Sequence, residues 1–372
     1  MRGGCTCSNH CCNRSPVTAE PAPRRPATVH VLSIHAGYRC QHAGRCCTSN
    51  WPIPVEPSHL TRLEDLIARG VVAPTGPAIA AVIREPDGPA LLGRDHGRCV
   101  FHDTHAAGGC RIQRAAGHEA LPLSCRQFPR QSVTDPRGVS VTLSHYCPTA
   151  RALLSTAGGP VGIVDRTTAF PAHEEYAGLD ATASLPPLLH PRCLLEWDAW
   201  WLTEALAVRL VDDDPRRGLP RLALAVEHLR TWRPGTVPLR DLVQRAFDVA
   251  SIAAVAEWDP AADALATHVA DALAAVPEEW RPDAGRALAT RAAALPDGEV
   301  GRFLAAHVFA NWSAYTGRGL RTWYRSVEAA GCLVRLTNDP GMVDLVLRHL
   351  ADSSALITRW SRAETSPVIR RP

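Results

Sequence analysis

A chain of 372 residues with 46% apolar residues is long enough for two domains and has ample apolar content for a core. The formal charge of +3 is small, so it favours neither a nucleic-acid-binding protein nor a strongly acidic partner. No run of roughly 18 apolar residues predicts a membrane span. The first residues lack the apolar centre of a signal peptide, which predicts a cytoplasmic, reducing environment.

The basic residues are all arginine: the chain has 40 of them and no lysine. A genome rich in G and C explains this bias. A lysine-modifying enzyme that avoids modifying itself is the alternative explanation, and the first is the simpler of the two.

The first 28 residues are predicted to be a disordered tail, because they are rich in proline and poor in apolar residues. Four cysteines lie in this tail, and they are Cys5, Cys7, Cys11 and Cys12. Their spacing partly repeats that of the next cysteines along the chain, but the flanking residues differ. We therefore leave these four out of the predicted site.

Residues 29–150 form a predicted cysteine region, which is punctuated by glycine and proline and has few regular elements. A helix is predicted from Ser58, its N-cap, to Gly70, where it stops. Short strands are predicted at Ala78–Arg84 and Val139–Leu143. A region with so few elements needs something besides an apolar core to hold it, and metal binding supplies folding free energy. We therefore expect a loop-rich metal-cluster domain here.

Residues 151–190 are a predicted transition or linker, broken by glycine and proline pairs. From residue 191 to residue 372 apolar residues recur at helical spacing, which predicts an all-helical C-terminal half. Nine of the ten tryptophans lie in this half, and we expect them to pack its core. The expected fold class of the whole chain is therefore mainly α. The predicted helices of this half are Leu194–Val211, Leu222–Trp232, Leu239–Trp258, Ala261–Val276, Arg302–Tyr315 and Met342–Trp360.

Seven cysteines of the cysteine region are the candidate metal ligands. They are Cys40, Cys46, Cys47, Cys99, Cys110, Cys125 and Cys147. Clustered thiols in a chain without an export signal bind metal or carry out redox chemistry more often than they form static disulfides. A soft thiolate site selects zinc, an iron–sulfur cluster or copper(I), and four thiolates are enough for a 4Fe–4S cluster. An oxidised disulfide scaffold ranks last among the alternatives.

The spacing of these cysteines lacks the C-x2-C pairs that are typical of structural zinc sites. The side chains of the adjacent Cys46 and Cys47 are expected to diverge, so that one of them is buried or faces a second metal. Arg126 follows Cys125 and can offset the negative charge of a thiolate cluster or donate hydrogen bonds to sulfur. The alternative for Arg126 is an ordinary surface ion pair. Cys193 and Cys332 lie in helical, apolar contexts that predict buried thiols.

Histidines could complete a site, although a structural role is the more common one for any single histidine. Those in the cysteine region are His42, His96, His102, His105, His118 and His145.

Several short sequence motifs in this region resemble those of a known family. Tyr38-Arg-Cys40 followed by Gly44-Arg-Cys-Cys47 resembles the opening of the YkgJ-like "CxxCxxCC" cysteine-cluster proteins, which are described as zinc- or iron-chelating. The segments from Cys99 to Asp103 and from Cys110 to Gln113 are similar to later parts of that sequence pattern. Residues 117–130, residues 143–151 and Trp51 are closest to one branch, the flagellin lysine-N-methylase (FliB-like) proteins. The family's short form has a cysteine where Ala43 stands, and His42 is the adjacent candidate for an extra ligand.

The resemblance implies a cysteine-ligated iron–sulfur or zinc centre. For the methylase branch it also implies methyl transfer from S-adenosylmethionine to lysine side chains of a surface protein such as flagellin. The residues themselves show no such activity, because the chain has neither a G-x-G-x-x-G turn opening a βαβ unit nor the C-x3-C-x2-C spacing of radical enzymes. A non-catalytic zinc- or iron-binding module is the alternative function.

Overall fold

The protein is mainly α-helical in the computed structural model, which describes residues 28–49, 51–76, 80–84, 88–103, 109–156, 158–165, 176 and 178–365. The predicted tail, apart from its last residue, lies outside these ranges together with its four cysteines. The α-helices are α1 Pro57–Ala68, α2 Arg111–Ala116, α3 Leu123–Gln127, α4 Pro148–Thr156, α5 Trp197–Asp213, α6 Gly218–Leu229, α7 Leu239–Ile252, α8 Ala262–Ala275, α9 Arg281–Ala289, α10 Asp297–Val308, α11 Trp312–Thr316, α12 Leu320–Thr337, α13 Pro340–Asp344 and α14 Ser353–Trp360. None of the helices in these ranges is both long enough and apolar enough to cross a membrane.

The strands form one larger sheet and three small ones. The larger sheet has the order β10-β7-β8-β1-β9, in which β1 pairs with β8 in parallel and β7 pairs with β8 antiparallel. The small sheets are β2-β4-β3, β5-β6 and β11-β12. The strands are β1 Val29–Leu32, β2 Pro54–Val55, β3 Val82–Arg84, β4 Ala90–Leu92, β5 Arg94–Asp95, β6 Arg98–Cys99, β7 Arg130–Asp135, β8 Gly138–Leu143, β9 Ile163–Asp165, β10 Leu179–Asp180, β11 Leu188–His190 and β12 Cys193–Leu194.

The helix predicted in the cysteine region is confirmed as α1, although Glu56 rather than Ser58 is its N-cap. Gly70 follows the helix with a φ of +70°, the left-handed conformation that ends helices. The predicted strand Val139–Leu143 is confirmed within β8. Of the other predicted strand, Val82–Arg84 is extended, and the residues 78 and 79 lie outside the described ranges.

The cysteine region has an apolar core of its own. Leu63, Leu92, Phe101 and Ile112 are buried there, and Cys47 and Cys99 belong to the same cluster of side chains. Burial of these side chains is the ordinary source of folding free energy. Apolar burial can therefore stabilise this region in addition to any bound metal.

The predicted transition over residues 151–190 contributes to the larger sheet. Within its described part, β9 pairs antiparallel with β1, and β10 pairs in parallel with β7. Helix α4 reaches residue 156 and buries Leu154. This stretch is thus built into the fold on both edges of the sheet.

The C-terminal half is helical after the β11–β12 hairpin, but its helices differ from the predicted ones in two respects. The central helix α12 and the shorter α9 were not predicted. The stretches 302–315 and 342–360, each predicted as one helix, are both interrupted. Ala310 breaks the first with a φ of +53°. A π-helical turn, Leu345–Leu350, separates α13 from α14 in the second.

One hydrophobic core joins the helices to the larger sheet. It contains Trp200 and Trp323, both fully buried, as well as Leu32 of β1 and Val133 of β7. The expectation that tryptophans pack this half is confirmed for these two. The same hydrophobic core therefore stabilises the packing of the helices on one another and on the sheet.

Candidate metal centre

The first cysteines of the site lie in a short 3₁₀ helix, Arg45–Thr48, which carries Cys46 and Cys47. Gly44 precedes this helix with a φ of +71°, and the backbone N–H of Cys47 donates to its carbonyl oxygen at 2.9 Å. A Cβ atom on Gly44 would lie 2.7 Å from Nε2 of His102. Both the conformation and the crowding require glycine here.

Three other segments bring further thiols to the same place. Cys99 ends β6, Cys110 precedes α2 and forms a β-bridge with His102, and Cys125 lies in α3. These segments are connected through the small apolar core around Phe101. The cysteines are thus positioned by packing as well as by sequence spacing.

Four of these thiols contact one another, and we call Cys46, Cys47, Cys99 and Cys110 the thiol cluster. The sulfur atoms of Cys46 and Cys47 are 4.0 Å apart, so the two adjacent side chains do not diverge as expected. Cys99 and Cys110 also lie near enough to Cys47 to affect its pKa. Cys125 is half-buried beside the cluster and interacts electrostatically with three of its members.

The contacts of Cys47 set the acidity of its neighbours. Interaction with Cys110, Cys46 and Cys99 raises the pKa of Cys47 above the usual range. Interaction with Cys47 lowers the pKa of Cys46 and of Cys99, and lowers the pKa of Cys110 to about 7, although burial opposes each of these shifts. Burial raises the pKa of Cys125 well above its usual value. The cluster therefore holds thiols that ionise easily around one that does not.

The remaining predicted cysteines, Cys40 and Cys147, form a second group with Tyr38. The Tyr38 hydroxyl lies 3.8 Å from the sulfur of Cys147, and Cys147 and Cys40 both raise the pKa of Tyr38, after burial as the main cause. A cavity of about 60 Å³ joins this group to the thiol cluster, since it is lined by both, and by Cys125. The structure thus brings all seven predicted cysteines into one neighbourhood.

The other two predicted site residues have different surroundings. His42 lines the same cavity, and its backbone N–H, rather than its ring, donates to the sulfur of Cys40 at 3.4 Å. Arg126 donates to a carboxylate oxygen of Glu119 at 3.3 Å, the ion pair that was the alternative for this residue. Cys332 is buried in α12 as expected, whereas Cys193 is only half-buried and lies in strand β12.

The donor chemistry of the cluster fits a soft metal ion, since three of its buried or half-buried thiols have lowered pKa values. The arrangement of the side chains fits a metal ion less well. Cys47 itself is at the centre of the contacts, and no three or more His, Cys, Asp or Glu side chains in the described ranges are placed to hold a metal ion directly.

A second polar site, which the sequence did not reveal, lies buried between the sheet and the helices. Asp344 of α13 accepts hydrogen bonds from Nδ1 of His145 at 3.0 Å and from Nε2 of His307 at 2.8 Å, and pairs with Arg348 at 3.1 Å. His35 extends the network, with its Nε2 atom 3.3 Å from Nε2 of His145. We call these five residues the Asp344 network. Its members are far apart in sequence, so only His145 was among the predicted candidates.

Comparison with protein-family models, with curated protein sequences and with solved structures finds no match to this chain.

Proposed function

We propose that this protein is a cysteine-ligated metalloprotein, with an iron–sulfur cluster as its centre, that acts as a protein lysine N-methylase. The single observation that supports the metal is the convergence of four thiols, from three separate segments, around Cys47. The methylase activity is supported by the resemblance of residues 117–130 and 143–151 to the flagellin lysine-N-methylase branch of the YkgJ-like family. S-adenosylmethionine is then the methyl donor, and a lysine-bearing surface protein such as flagellin is the acceptor.

Within this proposal, the residues 29–150 carry the metal and the residues 191–372 form the helical domain, in a cytoplasmic protein. The thiol cluster supplies the ligands, and Cys125, Cys40 and Cys147 lie next to it as the remaining candidates. A bound iron–sulfur cluster supplies one-electron chemistry or a rigid staple at this point. Cys110 is prepared for ligation because its pKa of about 7 leaves a large thiolate fraction at neutral pH.

A non-catalytic zinc-binding module is the second candidate, and one distance favours it. Tetrahedral zinc with Zn–S bonds of about 2.3 Å places its sulfur ligands about 3.8 Å apart. The sulfur atoms of Cys46 and Cys47 are separated by 4.0 Å, close to that value. A compact four-thiol arrangement of this kind suits a single small ion.

The first experiment is to purify the full chain without oxygen, record its visible absorption and measure its iron, sulfide and zinc content. We expect a brown protein containing iron and sulfide, and we expect Cys47→Ser to lose both. Cys193→Ser is the matched control, because Cys193 is a half-buried cysteine that lines neither the cluster nor its cavity. A colourless protein with stoichiometric zinc would overturn the iron–sulfur proposal and support the zinc module.

The second experiment tests methyl transfer with labelled S-adenosylmethionine and purified flagellin. The chain contains no lysine, so any methyl-lysine recovered after hydrolysis comes from the acceptor. Label in acceptor lysine that depends on Cys47 supports the enzyme. Metal-loaded protein that transfers no label to flagellin would count against it.

A further inference from the structure

A cavity of about 170 Å³ lies beside the Asp344 network, two of whose residues line it. His307, Arg348 and the tryptophans Trp312 and Trp360 are among its lining residues. An engineered cavity of about 150 Å³ takes up benzene, so this volume is enough for a ring or a small fused ring. The cavity is separate from the cavity that is lined by cysteines.

One ring nitrogen of His307 is available to the cavity. Its Nε2 atom donates to Asp344 at 2.8 Å, and its Nδ1 atom has no hydrogen-bond partner among the residues that the structure describes. Burial lowers the pKa of His307 to about 4, so the ring is neutral and Nδ1 carries a lone pair. Nδ1 therefore offers an acceptor, oriented by a carboxylate behind it.

Trp360 offers the complementary group. Its indole N–H is buried and has no hydrogen-bond partner in the described part of the chain. Buried donors of this kind are rare, because leaving one unpaired costs stability. The indole of Trp312 is different, since its N–H donates to the carbonyl oxygen of Ser132 at 3.0 Å, which leaves only its ring for contacts in the cavity.

The wall of the cavity carries no surplus charge. Arg348 lines it, but its guanidinium pairs with Asp344 and also donates to the carbonyl oxygens of Leu143 and Ala306 at 3.1 and 2.9 Å. A strongly anionic or cationic ligand would find no free counter-charge there, and its burial would be costly. A neutral ligand suits this wall.

The backbone around the cavity has two unusual features. Ala310 lines it with a φ of +53°, and its N–H donates to the buried Glu204 carboxylate at 2.9 Å. The π-helical turn Leu345–Leu350 supplies Leu347 and Arg348 to the opposite wall. Strained residues and π turns concentrate at binding and catalytic sites.

We propose that this cavity is a binding site for a neutral heteroaromatic ring of nucleobase size that carries a hydrogen-bond donor beside an acceptor. The donor would pair with Nδ1 of His307 and the acceptor with the indole N–H of Trp360, while the indole rings pack on the faces of the ligand. Adenine has this pattern, with an amino group next to a ring nitrogen. The inference deepens the proposed methylase, on which it rests only for the identity of the natural ligand, because S-adenosylmethionine contains adenine.

The test is calorimetric titration of the full-length protein with adenosine and with S-adenosylhomocysteine. We expect saturable binding with one site per chain, and a three- to tenfold weaker affinity, roughly the value of one hydrogen bond, in Trp360→Phe. Because the Trp360 N–H has no partner, Trp360→Phe should lower the melting temperature no more than Trp280→Phe does. Trp280 is the matched control, since its indole N–H already bonds to Glu279 at 3.0 Å.

A second variant guards against a local packing effect of the Phe substitution. Gln131 lines the cavity from strand β7, and Gln131→Met removes its amide at similar volume. The Gln131→Met substitution should also weaken the binding of adenosine. Absence of binding by both probes, or equal binding by wild type, Trp360→Phe and Gln131→Met, would overturn the proposal. Neither result affects the metal content of the thiol cluster, so failure of this site and failure of the metalloprotein proposal are distinguishable.

Discussion

Nε2 of His307 donates a hydrogen bond to the carboxylate of Asp344 across 2.8 Å, where both side chains are almost completely removed from solvent. The same carboxylate accepts from both the ring and the backbone N–H of His145 and pairs with Arg348, so one buried charge serves four donor groups of three residues. Its pKa is held well below the usual range by Arg348 and the histidines, against the effect of burial. The stability of the region around it therefore depends on keeping this group ionised.

Replacing Asp344 by Asn tests that dependence. The substitution keeps the shape of the side chain but leaves the buried Arg348 without its counter-charge, for which we expect a loss of about 3–5 kcal/mol in the free energy of unfolding. Urea denaturation followed by circular dichroism measures it. Asp65→Asn, which breaks an exposed pair with Arg69, should cost about 0–1 kcal/mol. Equal costs for the two variants would contradict the role assigned to Asp344.

Acid should destabilise the protein through its buried histidines. Burial lowers the pKa of His307 and of His349 to about 4, below the ordinary value of 6.5. The unfolded chain binds more protons than the folded chain between these values, so stability falls as the pH decreases from about 6.5 to about 4. Each histidine contributes on the order of 3 kcal/mol to the fall.

The variant His349→Gln should flatten this pH dependence in urea unfolding measured at pH 7, 6 and 5. His96→Gln is the control, because the side chain of His96 is 95% exposed. A slope that responds equally to both substitutions would show that burial is not its cause.

The thiols of the metal-free protein should differ in reactivity. Both side chains are half-buried, but with a pKa of about 7 Cys110 should be alkylated by iodoacetamide much faster than Cys125, whose pKa is raised. A time course of peptide mass mapping at pH 7.5 measures the two rates. Loading the protein with metal should protect Cys110 and leave Cys193 unchanged, and protection of both cysteines would point to a general loss of access.

Gly44 and Gly70 offer a matched pair of substitutions. Both have a φ near +70°, so alanine is strained by about 1 kcal/mol at either position. Only at Gly44 would the new Cβ meet a neighbour, Nε2 of His102 at 2.7 Å, whereas nothing lies within 4 Å at Gly70. Gly44→Ala should therefore unfold at lower urea concentration than Gly70→Ala.

The contact with His102 is the closest cause of that expected difference, and the backbone nitrogen of Gly109, 3.2 Å from the new Cβ, is the other. The double variant Gly44→Ala with His102→Ala should therefore recover part of the difference. Metal content measured on the same samples reports whether the thiol cluster tolerates the shift. Identical denaturation of the two single variants would show that His102 moves aside without cost.

Hydrophobic periodicity predicted helices that have one buried side and one exposed side. Helix α7 is an example, since its buried residues recur on one side over 14 residues, although it ends at Ile252 rather than at Trp258. Helix α12 was not predicted, although Trp323, Val327 and Val334 recur on one side at helical spacing. What the sequence does not show is the extent of its burial, since 13 of its 18 residues are buried, small or polar ones such as Ser326 and Gly331 among them.

The interruptions of helices and the order of the sheet depend on partners far away in sequence. Ala310 adopts its left-handed conformation where its N–H meets Glu204, more than a hundred residues earlier. Strand β1 pairs with β8 and β9 across gaps of more than a hundred residues. For the site, the sequence identified which thiols to consider, but not that Cys47 would be central among them. Nor did it indicate Asp344, whose partners His145 and His307 are brought to it only by the fold.

Trp51 is the only tryptophan that precedes the helical half, and it packs against both the small core of the cysteine region and the large helical core. Its ring stacks on His349 with centroids 4.7 Å apart. Loss of order around the thiols would thus remove packing contacts from the helical core. The two halves should therefore unfold in a single cooperative transition rather than one after the other. The fluorescence of the indole at that junction should therefore change when the cysteine region loses its order.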